Sequence, residues 1–111
     1  MEREVILAVD IGGSKYVAGL VAADGRVICK EKYRWSRMSA EQVTADIISA
    51  MERVIEEHPG VKISAVGMTI PGLADPDTGM WISASFMRIY NLPIGGIIGR
   101  RFGLPVYIEN D

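Results

Sequence analysis

The stretch VILAVDIGGSKYVAGLVA, residues 5–22, constrains the fold more than any other. Residues 5–9 form an uninterrupted apolar run of strand length, stopped by Asp10 and the pair Gly12-Gly13. Such a run predicts a strand buried on both faces, which belongs in the middle of a sheet. The residues after the glycines set the architecture. Positions 16–22 are again apolar and β-rich, so the glycine turn joins two strands. Dinucleotide-binding and P-loop turns are thereby excluded, because they open a helix and have G-x-G-x-x-G or G-x-x-x-x-G-K-[ST] spacing.

Beyond this pair, Asp24-Gly25 signals a turn into a third strand over residues 26–35. Its charges at Lys30, Lys32 and Arg34 place it at a sheet edge. Ser39 and Gln42 have the spacing of a capping box, and Val43, Ile47, Met51 and Val54 then recur on one helical face. That helix should stop near His58, ahead of Pro59-Gly60. Residues 62–70 form the next strand, and a loop through DPDTG leads to a short strand at 80–83. A glycine-containing helix over 94–102 precedes a last strand at 106–108. The order β-β-β-α-β-α-β predicts an α/β fold: a mixed five-stranded sheet with helices on its faces.

A chain of 111 residues is the length of one domain. Hydrophobic residues make up 49% and charged residues 23%, the range of a soluble globular domain. The net charge is -2 and no basic run is present, so neither nucleic acid nor an anionic membrane is expected as a partner. One cysteine, Cys29, and one histidine, His58, cannot build a disulfide or a Cys/His metal cage. The apolar stretch before Asp10 is too short for a signal-peptide core or a membrane span, and the chain reads as cytoplasmic.

The glycine turn carries two readings from its residues alone. Gly12 and Gly13 permit close backbone approach and leave amide N–H groups able to wrap a polyphosphate, and Asp10 has the oxygen chemistry that Mg2+ prefers, directly or through water. Equally, the glycines make a tight hairpin with Asp10 and Lys15 solvated beside it. His58, Cys29, Arg100 and Arg101 read as structural or solvated residues, Trp35 and Trp81 as packing residues, and Asp75 and Asp77 as turn residues. Glu109, Asn110 and Asp111 come after the last apolar strand, where a chain end frays unless it is tied down.

Taken together, VILAVDIGGSKYVAGLVAADGRVI, ISAVGMTIPGLADPDTG and FGLPVYIEND resemble three successive blocks of the ROK family of sugar kinases and related repressors. The resemblance covers nearly the whole chain. It implies the N-terminal lobe of the ribonuclease H-like, actin-like ATPase fold at residues 1–111, with ATP, Mg2+ and a sugar as partners. It assigns Asp10, Gly12, Gly13, Ser14 and Lys15 to the ATP phosphates and magnesium, and Pro71 and Gly72 to a loop lying along the sugar. Asn110 and Asp111 resemble the sugar-binding and catalytic pair, with Asp111 as general base. The implied reaction moves the γ-phosphate of ATP to a hydroxyl of a hexose or N-acylhexosamine.

Ser85 and Ile89 stand near places where family members carry asparagine and tryptophan, so the sugar is not fixed by these residues. The family's second lobe, with the rest of the sugar site, a zinc motif and the adenosine pocket, is not present in the chain. The isolated chain is therefore expected to be inactive and to self-associate through an exposed apolar face. A sugar-sensing or transcription-regulating member of the same family is the alternative. Such regulators carry a helix-turn-helix ahead of the first glycine block, for which a strand starting by Val5 leaves no room.

Overall fold

The computed structural model describes residues 3–111. Five strands form the main sheet: β1 (Arg3–Ile11), β2 (Lys15–Ala22), β3 (Val27–Arg34), β4 (Val61–Ile70) and β8 (Val106–Asn110). Their spatial order is β3-β2-β1-β4-β8. The apolar first strand is central, and the charged third strand is an edge. β1 pairs antiparallel with β2 and parallel with β4, and β4 pairs parallel with β8.

Helix α1 (Ala40–Glu57) begins where the Ser39 side chain accepts the Gln42 N–H at 3.1 Å. Only half of the expected capping box forms, because the Gln42 amide turns to the Asp46 carboxylate at 2.9 Å. Helix α2 (Ile94–Phe102) ends on Gly103, whose left-handed backbone lets its N–H return to the Gly99 carbonyl. Both helices pack on one face of the main sheet. Val43, Ile47 and Met51 of α1 and Ile94 and Ile98 of α2 share a single core with Leu7, Val9, Leu20, Met68 and Ile108. The opposite face bears Ala8, Val17, Val21, Gly67 and Tyr107, which line an open groove of about 450 Å³.

A second sheet, which the sequence only hinted at, joins β5 (Leu73–Asp75), β6 (Met80–Ala84) and β7 (Ile89–Leu92) in that order. A 3-10 turn, Ser85–Met87, separates the last two. Trp81 is fully buried, and its indole N–H donates to the Pro71 carbonyl at 3.0 Å. Asp77 is a turn residue as expected, but Asp75 closes β5, paired with Met80; its carboxylate accepts the Asp77 N–H at 3.0 Å. The small sheet packs beside the carboxyl end of β4, and the close approach of Gly79 to Gly95 seats the start of α2 on it.

Candidate functional site

The parallel strands β1, β4 and β8 are neighbours, so their carboxyl ends open on one edge of the sheet. Asp10, Thr69 and Glu109 lie side by side in register across them, with the Ile70–Asn110 pair one step further along. Each strand therefore delivers one of the three sequence blocks to the same edge: the glycine turn, the Pro71-Gly72 turn and the Asn110-Asp111 pair. In open α/β sheets this edge is where ligands bind.

Within the first block, the Gly12 N–H donates to the Lys15 carbonyl at 2.9 Å and tightens the turn. A Cβ on Gly12 would lie 2.9 Å from that carbonyl oxygen, so glycine is needed there. Gly13, Ser14 and Lys15 are exposed, and the N–H groups of Gly13 and Ser14 have no partner among the described residues. Unpaired N–H groups in a turn suit an anion. Asp10 is also exposed, and its Oδ1 accepts the Thr69 hydroxyl at 2.6 Å, while Oδ2 has no partner among the described residues. Among the described residues no group of three or more His, Cys, Asp or Glu side chains could hold a metal, so a magnesium ion at Asp10 would need further ligands from outside these side chains.

Two aromatic residues hold the turn, and neither was assigned to it from sequence. The Trp35 indole N–H donates to the Gly12 carbonyl at 3.0 Å, while its ring stacks on Tyr16 at 4.1 Å. The Phe86 ring lies 3.2 Å from where a Gly13 Cβ would stand. Tyr16 stacks in turn on Tyr33, with ring centroids 5.2 Å apart. Burial, reinforced by the Asp46 carboxylate, pushes the Tyr16 phenol up to about 12.

In the second block, Gly72 adopts a φ of +81° and packs against the β6 backbone, fixing the turn after β4. In the third, the Asn110 side chain makes two bonds to one residue of the small sheet. Its Oδ1 accepts the Ala74 N–H at 2.7 Å and its Nδ2 donates to the Ala74 carbonyl at 3.0 Å. One N–H and one lone pair remain for a ligand. Asp111 is tied down rather than frayed, because its backbone N–H donates to the Ile70 carbonyl at 2.9 Å. It is exposed, one residue beyond the Ile70–Asn110 pair.

Ile89 is fully buried in β7, and Ser85 is exposed in the turn beside Phe86. Cys29 and His58 are half-buried 4.0 Å apart, and the His58 ring bonds the Val54 carbonyl, as befits a helix end.

The ROK family model matches residues 6–111. A β-glucoside kinase of Klebsiella pneumoniae is 32% identical over 108 residues, covering 96% of this chain and 34% of its own length. A ROK family glucokinase from Streptomyces griseus, solved with glucose and AMPPNP, superposes with a TM-score of 0.84 at 30% identity, over 96% of this chain and 33% of that one. A ROK family transcriptional regulator, a homologue of the E. coli Mlc protein, superposes with a TM-score of 0.92 at 22% identity, over 97% of this chain and 28% of that one, and shares the fold. The chain spans about a third of the length of these relatives. Its three blocks, its sheet order and these matches agree: the chain belongs to the ROK family.

Proposed function

We propose that residues 1–111 are the N-terminal lobe of an ATP-dependent sugar kinase. The observation that carries this reading is the delivery of all three blocks to one edge by three adjacent parallel strands. In this reading the N–H groups of Gly13 and Ser14, the Ser14 hydroxyl and Lys15 hold the ATP phosphates. Asp10 would hold magnesium directly or through a bound water, and the ion would neutralise charge on the phosphates. The remaining N–H and lone pair of Asn110 orient a sugar hydroxyl, with Pro71 and Gly72 alongside. Asp111 takes the proton of the attacking hydroxyl as its oxygen bonds the γ-phosphorus, and the bond to the β-phosphate oxygen breaks to release ADP. The acceptor is a hexose or an N-acylhexosamine.

The test is ATP-dependent phosphorylation across a panel of such sugars, in a protein of the relatives' length that carries this chain. Asp111→Asn is expected to lower kcat by about 10²–10⁴-fold with sugar affinity nearly unchanged. Full activity in that variant would remove the base assignment. Sugar binding without phosphorylation of any sugar on the panel would favour the sugar-sensing alternative.

A further inference from the structure

We propose that Trp35 is a positioning residue for the glycine turn, keeping the Lys15 N–H available to a polyphosphate beside those of Gly13 and Ser14; this rests on the reading of that turn as the phosphate site. A tight hairpin normally closes with reciprocal backbone bonds between the two residues flanking its loop. Here one of the two is made, from the Gly12 N–H to the Lys15 carbonyl. The Gly12 carbonyl accepts the Trp35 indole N–H instead, at 3.0 Å. With that acceptor occupied, the Lys15 N–H does not close the hairpin on it and stays beside the Gly13 and Ser14 N–H groups as a third donor.

The indole can do this because it is itself fixed. Its ring stacks on Tyr16 at 4.1 Å and an interplanar angle of 24°. The next residue, Ser36, is pinned to α1: its N–H and hydroxyl both bond the Asp46 carboxylate at 3.0 Å. Helix α1 therefore supports the turn through two successive residues. The Phe86 ring also lies beside the turn, 3.2 Å from where a Gly13 Cβ would stand. A preformed turn spares the ligand the entropy of ordering it.

Titration of the 15N-labelled chain with tripolyphosphate tests this. In the native chain the Gly13, Ser14 and Lys15 amide signals should shift to saturation. Trp35→Phe keeps an aromatic ring against Tyr16 and removes the donor. It should bind about five- to tenfold more weakly, the loss of one hydrogen bond's contribution, with the thermal midpoint little changed. The Lys15 amide should become protected from solvent exchange as the hairpin closes on itself, a change that lost packing alone would not produce. Replacing Trp35 with benzothienylalanine, which has the shape of tryptophan but no N–H, should reproduce both effects even if the phenylalanine variant folds poorly. Replacement with 7-azatryptophan, which keeps the N–H, should restore native affinity. Tripolyphosphate affinity within twofold of native in the benzothienylalanine protein would overturn the positioning role and leave the phosphate site standing. No response at Gly13 and Ser14 in the native chain would overturn the phosphate site itself, and the proposal with it.

Discussion

Gly72 and Gly60 both stand just past an element end, yet the structure treats them differently. A Cβ on Gly72 would lie 2.1 Å from the Ser83 carbonyl oxygen, and its φ of +81° is one that side chains resist. A Cβ on Gly60 would meet nothing within 4 Å. Gly72→Ala is expected to cost at least ~2 kcal/mol and to loosen the turn beside Asp111, whereas Gly60→Ala should be neutral or stabilising by up to ~1 kcal/mol. Urea denaturation of the two variants checks the contrast; equal midpoints would contradict the close approach at Ser83. From sequence, Pro71-Gly72 could be assigned by resemblance, but its packing against a residue in another strand could not be read from the dipeptide. The same holds for Gly12 and Gly13, whose neighbours include the sequence-distant rings of Trp35 and Phe86.

Among the elements, those with a strong local signal were legible. The run of residues 5–9, the cap at Ser39, the stop at Pro59-Gly60 and Gly103 after the second helix all set their elements close to the observed bounds. The small sheet was not legible, apart from its middle strand. β5 is three residues long, and β7 carries exposed Tyr90 and a left-handed Asn91, so neither shows alternation. β8 runs further than residues 106–108 because β4 offers pairing partners as far as Ile70. The contact between α1 and β2 has a pH signature. An unfolded tyrosine loses its proton near pH 10, whereas burial first, and then the Asp46 charge, hold the Tyr16 proton to about 12. Between those values the unfolded chain sheds a proton that the folded chain keeps, so stability should fall as pH rises from 10 towards 12. Tyr33 is also raised, chiefly by burial, and acts in the same direction. Denaturation measured from pH 9 to 11 should show a negative slope that flattens in Tyr16→Phe. An unchanged slope would separate Tyr16 from the effect.

At the scale of the whole molecule, one core serves both helices and one face of the main sheet, while the opposite sheet face and the site edge remain open. Asp111, Ser14 and Lys15 are all exposed at that edge. Phosphoryl transfer to a sugar rather than to water requires a closed, dry site. The 111-residue chain alone is therefore expected to phosphorylate sugars no faster than its own Asp111→Asn variant in a coupled ADP-release assay. Sustained turnover by this chain would contradict its assignment as one lobe. The paired hydrogen bonds between Asn110 and Ala74 also bear on the chain's synthesis. Those two residues are 36 apart in sequence. At ribosomal rates of about 5–20 residues per second, the strand Leu73–Asp75 would emerge about two to seven seconds before its clamp. Through that interval the small sheet lacks its anchor to β8, so nascent chains are most exposed to proteolysis and mispairing in the segment between Gly72 and Leu92.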